Sequence, residues 1–301
     1  MRQPIGMIRV KVEKRDKINT KTVLETDYVL KICNLAYEYH FISTEQLYRF
    51  IRKNFKRNVY LDNLLLRLWR EGYLERFKMI LEGSRYPTNF YMLGKKGKVL
   101  LEKKNFNDYD LTELENYDIG EDVHFASFEH HYLSAEFASM EYLNSTEETE
   151  IVQLGERKAH VVFGEERNLL IIPDFITFRK NIGKEKTILN EIEVSPKKPF
   201  MRQLKLSKYM QYKKTTGEDF ILRFIFSNPM REIAYWNWAK KDFPEALDVL
   251  NIYSTSLNFV DSFEDLEKPI YFLPKVETIP AYPMGINRYD KRLEVKRVTI
   301  N

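Results

Sequence analysis

Two apolar stretches in the middle of the chain, LLIIPDFITF and KTILNEIEV, read as β-strands, yet each is interrupted by acid where a buried strand should carry none. Asp174 directly follows Pro173, and Glu191 and Glu193 sit two apart in the next strand. Side chains alternate along a strand, so Leu189, Glu191, Glu193 and Ser195 share one face, and Ile188, Asn190, Ile192 and Val194 share the other. Pro173 cannot donate to a sheet ladder and marks a bulge, an end or an edge just where Asp174 appears. Three neighbouring carboxylates allow two chemistries. They bind Mg²⁺ or Mn²⁺ through oxygen, with Asp174 and Glu191 as ligands and an activated water attacking a phosphodiester. Alternatively they are charge-paired and non-catalytic, with Lys197, Lys198, Arg202 or Lys205 as the partner.

The elements that position these acids form an alternating pattern. HFASFEHHYLSAEFASMEYLN has the broad apolar face of a helix, and strands follow at about 150–154, 158–163, 168–178 and 186–194. A helix from about 199 to 214, a strand in DFILRFIFS and a helix in MREIAYWNWAKK complete an α/β sheet flanked by helices. His130 and His131 are possible metal ligands by type, but histidines on a packed helix are more often structural groups. Trp236 and Trp238 lie two apart and face different sides of their helix, so one belongs to the core.

The first third of the chain has a different character. Residues 1–106 hold 23 Lys and Arg against 11 Asp and Glu, a net of +12, and the remainder holds 25 against 33, a net of −8. A basic front half on an acidic back half points to a polyanionic partner, double-stranded DNA above all. DYVLKICNLAYEYHF has helical spacing, Ser43 with Gln46 fits a capping box for a short second helix, and a third helix runs through VYLDNLLLRLWRE to a stop at Gly72. LERFKMI and TNFYMLG then alternate as a β-hairpin around LEGSRYP. Three helices followed by a hairpin predict a winged helix-turn-helix. Arg52, Lys53, Lys56 and Arg57 surround the start of the third helix, Asn58, Tyr60 and Asn63 could read bases from it, and Arg85 lies at the wing tip. The expected division is a winged-helix domain at 1–106, an acidic linker at 107–122 and an α/β domain at 123–301.

Composition excludes other classes. There is no run of eighteen apolar residues for a membrane span and no secretory leader pattern, and Cys33 is the only cysteine, so a cytoplasmic protein without disulfides is expected. No Gly-rich phosphate loop, dinucleotide fingerprint or Ser-His-Asp order is present.

The pattern Pro-Asp, sixteen residues, Glu-x-Glu resembles the PD-(D/E)XK nuclease superfamily. More broadly the chain is similar to the replication-relaxation family of plasmid and mobile-element proteins, through STEQLYRFI, LLLRLWREGYLER, YMLGKKGKVLL, HHYLSAEF, IPDFITF, NEIEV and KLSKYMQYKK in that order. The resemblance implies a winged helix fused to a nuclease-like core, a role in replication or its control, and a homodimer or a replication protein as partner, since inverted DNA sites suit two-fold pairing. Carried over, the helical acid of the nuclease pattern falls on Glu136, the strand acids on Asp174 and Glu191, and the lysine slot on Glu193. That departure favours a non-catalytic core, unless Lys205 or Lys208 from the next helix supplies the missing base.

Overall fold

The computed structural model describes residues 25–51, 58–81, 85–104, 114, 117, 127–146, 148–163, 169–181, 183–195 and 197–257. Among them the chain is a mixed α/β structure in two units. One takes residues up to Leu143 together with Leu154–Lys158, and the other takes Asn144–Gln153 and the chain from Ala159 onward.

The N-terminal unit begins with α1 (Asp27–Glu38), whose Val29, Ile32, Cys33 and Ala36 make a continuous buried stripe. His40 then takes a left-handed backbone (φ 63°) and turns the chain into β1 (Ile42–Ser43). The capping box forms as expected at α2 (Thr44–Ile51). Gln46 N–H donates to Ser43 Oγ at 3.2 Å, and Ser43 N–H donates to Gln46 Oε1 at 2.9 Å. In α3 (Asn58–Glu71), Leu61, Leu65, Leu68 and Trp69 are buried, and Gly72 at φ 87° ends the helix in a conformation that a side chain would oppose. The hairpin follows as β2 (Leu74–Met79) and β3 (Thr88–Leu93), antiparallel, with β1 on the outer side of β3.

Two further helices of this unit lie among the described residues. The helix α4 (Lys95–Glu102), within KKGKVLLE, was not expected from the sequence. The helix α5 (Phe128–Leu143) was expected in the second domain, but it belongs with the first unit, because its apolar face finds an aromatic core there. Phe128 stacks on Phe41 at 4.6 Å between centroids, and Phe77 and Phe90 pack edge-on to Phe41. The boundary thus falls after α5 and not in the acidic stretch 107–122. The two described residues of that stretch, Leu114 and Tyr117, are buried, and Tyr117 donates to Leu93 O at 3.1 Å.

In the C-terminal unit a five-stranded sheet has the order β10-β9-β8-β7-β4, built from β4 (Thr149–Gly155), β7 (Phe175–Asn181), β8 (Lys184–Glu193), β9 (Ile221–Phe226) and β10 (Asn251–Ser256). β7 and β8 are antiparallel; β8, β9 and β10 run parallel. The stretch 168–178 is not one strand. Pro173 ends β6 (Leu169–Ile171), which pairs only with β5 (Val161–Phe163), before β7 begins in the main sheet. The helix α6 (Pro199–Thr216) crosses from β8 to β9, and α7 (Pro229–Asp242) and α8 (Pro244–Val249) lead to β10. Trp236 is the core tryptophan, donating to Ser254 Oγ at 2.9 Å, while Trp238 is half-buried. The pair α8–β10 was not anticipated.

Gln46 joins three parts of the N-terminal unit. Besides capping α2, its Nε2 donates to Tyr132 O at 3.2 Å and to Glu136 Oε2 at 3.0 Å, and the side chain is fully buried. Gln46→Ala removes the cap and leaves two buried acceptors short of a donor, so a loss of about 2–4 kcal/mol is expected. Urea unfolding of the full chain checks it, and a loss within 0.5 kcal/mol of zero, the scale of ordinary surface changes, would contradict this role.

Candidate functional site

β8 is the centre of the C-terminal sheet, and its last six residues, Ile188–Glu193, are all buried. Glu191 and Glu193 therefore cannot be solvated, and α6 supplies what they need. Lys205 Nζ donates to Glu191 Oε2 and, at 3.2 Å, to Glu193 Oε1. One turn further, Tyr209 O–H donates to the other oxygen, Glu191 Oε1, at 2.5 Å. Lys205 and Tyr209 are four apart, so a helix presents both on one face. From the end of the strand, Lys197 donates to Glu193 Oε1 at 2.9 Å. Arg202 does not join the cluster. Its guanidinium lies 5.2 Å from the ring centre of Tyr235 and 5.7 Å from that of Trp238. Lys198 and Lys208 are exposed.

Asp174 does a different job. Its backbone N–H donates to Asn190 O at 2.9 Å, and its Oδ2 accepts from Ile192 N–H at 2.5 Å. Where Pro173 stops the β7 ladder, the carboxylate stands in for a backbone carbonyl and keeps a buried donor satisfied. That gives the acid at the strand start a structural job.

The electrostatics follow from burial. Burial pushes the Glu191 carboxyl up to about 7; Asp174 adds to the rise, and Lys205 and Tyr209 oppose it. Burial alone would lower Lys205, but the Glu191, Glu193 and Asp174 carboxylates reverse this and hold its ammonium well above the usual lysine range. Burial and the Glu191 charge raise the Tyr209 phenol well above its ordinary value, so it keeps the proton that it donates to Glu191.

The cluster brings together three of the five residues anticipated for catalysis, Glu191, Glu193 and Lys205, with Asp174 as their electrostatic neighbour. Glu136 lies in the other unit, where Arg49 Nη1 at 2.8 Å and Gln46 hold its carboxylate. Tyr209 was missed; its spacing from Lys205 within KLSKY was the available signal. Of the residues anticipated for DNA, Arg52, Lys53, Lys56 and Arg57 lie outside the described residues, as does the side chain of Asn58. Tyr60, Asn63 and Arg85 are exposed, and with Val59 and Tyr86 they form the outward surface of α3 and the β2–β3 turn.

No protein family, curated protein or solved structure matches the chain.

Removing the lysine takes from two buried acids the cation they share. Lys205→Ala should destabilise the protein by about 3–5 kcal/mol. The loss should be larger at pH 8 than at pH 5, since Glu191 can take up a proton in compensation. A separate expectation concerns Glu191 itself. Its folded value near 7 exceeds its unfolded one, so the native state binds the extra proton, and stability falls as pH rises from about 4.5 to about 7. The difference in unfolding free energy between the wild type and Glu191→Gln, followed from pH 5 to pH 8, should therefore shrink by roughly 1–3 kcal/mol. A flat difference would contradict a proton-binding Glu191.

Proposed function

We propose that this is a double-stranded DNA-binding protein of a mobile genetic element, acting in replication or its control. In this reading the N-terminal unit is a winged helix, and the C-terminal unit is a nuclease-like core whose acids are structural and not catalytic. The observation that carries the non-catalytic reading is Lys205, whose ammonium sits on Glu191 and Glu193. Both Glu191 oxygens already have donors, Asp174 Oδ2 is engaged by Ile192, and Asp174, Glu191 and Glu193 do not together form a set whose ligand atoms all converge within 4.8 Å. This donor set does not fit Mg²⁺ or Mn²⁺, which demand several free oxygens around one point.

The DNA reading is supported by a helix that buries its leucines and exposes Tyr60 and Asn63, followed by a hairpin with Arg85 at its turn. Asp62 is exposed on the same helix, so attraction to phosphate has to come from the surrounding cations, in a stretch whose net charge is +12 over residues 1–106. A homodimer on an inverted site, or a replication protein alongside, is the partner this reading implies.

The test uses the full chain and a labelled duplex in fluorescence anisotropy at several salt concentrations. Binding should weaken steeply with salt, by about 0.9 in the log–log slope for each phosphate contact. Arg85→Ala should lower that slope by about 1, and Tyr60→Ala or Asn63→Ala should weaken binding to a preferred site by roughly 1–3 kcal/mol. Binding that is absent or indifferent to salt overturns the DNA reading. Supercoiled plasmid incubated with the protein and Mg²⁺ should stay intact, and nicking abolished by both Asp174→Ala and Glu191→Ala would make the core an endonuclease.

A further inference from the structure

A second cluster of titratable groups lies wholly within the N-terminal unit and has no part in the function proposed above. His40 follows α1, His131 lies on the first turns of α5, and Glu156 lies in the turn after β4, so the fold gathers them from three separate places in the chain. Glu156 Oε2 is the common point. It lies 3.4 Å from His40 Nε2 and 3.1 Å from His131 Nδ1, and the ligand atoms of the three residues all lie within 4.8 Å of one another. The imidazoles stack with centroids 4.0 Å apart and planes 23° from parallel, which brings both nitrogens to the same carboxylate oxygen.

This is an unusual way to leave polar atoms. His40 Nε2 and Glu156 Oε2 are cut off from solvent, and the 3.4 Å between them is long for a hydrogen bond. The separations also match those of ligands around a shared ion. Four donors held tetrahedrally at 2.0–2.1 Å from a metal lie about 3.3 Å from each other. We infer that His40, His131 and Glu156 form a binding site for a zinc-class divalent cation, with His40 Nε2, His131 Nδ1 and a Glu156 oxygen as its three protein ligands. Two imidazole nitrogens with one carboxylate suit zinc and its neighbours rather than Mg²⁺ or Ca²⁺, which take oxygen. The side chains are 20%, 13% and 29% exposed, so the cluster reaches solvent, and a water can supply the fourth ligand.

One neighbour opposes the ion. Arg157 Nη2 stands 3.1 Å from His40 Nδ1, and because a guanidinium can only donate, it holds His40 in the tautomer with the proton on Nε2. Binding a cation at Nε2 moves that proton to Nδ1 and turns Arg157 away. Arg157 has somewhere to go, since its guanidinium already lies 4.5 Å from the ring centre of Tyr117 and 5.2 Å from that of Tyr37. Arg157 thus sets the affinity of the site without belonging to it.

The test titrates the chelator-treated full chain with Zn²⁺ in a calorimeter, and with Co²⁺ for the visible absorption of a four-coordinate ion. One ion per chain should bind, and the melting temperature should rise with Zn²⁺ concentration. His40→Asn, chosen because asparagine tolerates the left-handed backbone there, should weaken binding at least about tenfold, as should His131→Ala and Glu156→Gln. Melting curves without metal show whether each variant is folded. Arg157→Gln offers His40 Nδ1–H an acceptor in place of a donor, so it should bind Zn²⁺ more tightly than the wild type. No saturable binding by the wild type, binding that survives the three ligand substitutions, or an Arg157→Gln affinity no better than wild type each overturns the site.

Discussion

The contact on which the C-terminal unit depends is the Lys205 ammonium held against Glu191 and Glu193. Two carboxylates on the central strand of a sheet, each no more than 3% exposed, could not be buried uncompensated, because the desolvation of even one charge exceeds the stability of an ordinary domain. The sheet can close over β8 only if a cation arrives with it. That requirement fixes where α6 must lie and which way it must face. It explains why Tyr209, one turn along, points inward beside leucine-like neighbours such as Leu206 and Met210. The opposite face of β8 shows a related logic, with a buried cation held by an amide instead of a carboxylate. Arg223 of β9 is 1% exposed and donates to Asn190 Oδ1 at 2.6 Å, while Asn190 Nδ2 reaches Phe175 O, Ile188 O and Thr177 Oγ1. A strand with polar partners on both faces cannot slip by one residue without exchanging the two sets, so its register is specified twice.

The N-terminal unit holds a distant piece of chain by the same means. Glu38, buried at the end of α1, accepts Gly155 N–H at 3.1 Å through one oxygen and Asn34 Nδ2 at 2.7 Å through the other, and Lys158 lies 3.3 Å from it. Gly155 is required by space: a Cβ there would meet Glu38 O at 2.7 Å, and backbone cannot move aside as a flexible side chain does. The segment Leu154–Lys158 is thereby fastened by one acid, one lysine and the lack of a side chain, and Glu156 is carried to His40 and His131 as a consequence.

What was legible in the sequence was local. The Ser43–Gln46 box, the Gly72 stop, the ladder break at Pro173, the common face of Glu191 and Glu193 and the division of labour between Trp236 and Trp238 each follow from the geometry of a few consecutive residues. What was not legible depends on partners far along the chain. The apolar stripe of α5 says that it packs, not against which unit, and only the Phe41–Phe77–Phe90 core answers that. Glu136 looked like a site acid because of its place in a pattern, while Arg49 and Gln46, which claim it, lie about ninety residues earlier. The strands that carry Glu191 and Glu193 were clear. That Lys205 fills the space between them was one of two outcomes, because sequence gives the charges and not the distances.

Those distances also bear on the nuclease resemblance. A divalent cation and a lysine ammonium answer the same electrostatic demand, and a given pair of buried carboxylates can satisfy only one of them at a time. An active site of this kind keeps its lysine beside the metal, so that the acids serve the ion and the ammonium serves the water. Here the ammonium is on the acids themselves, and Tyr209 occupies the Glu191 oxygen that Lys205 leaves free. To admit an ion, the chain would have to displace Lys205 from two carboxylates and Tyr209 from one, and leave both donors buried without partners. In the proposed reading, substituting Glu193 for the lysine of the pattern decides between the two states: a second acid at that position calls the helix lysine inward, and the cluster becomes part of the core.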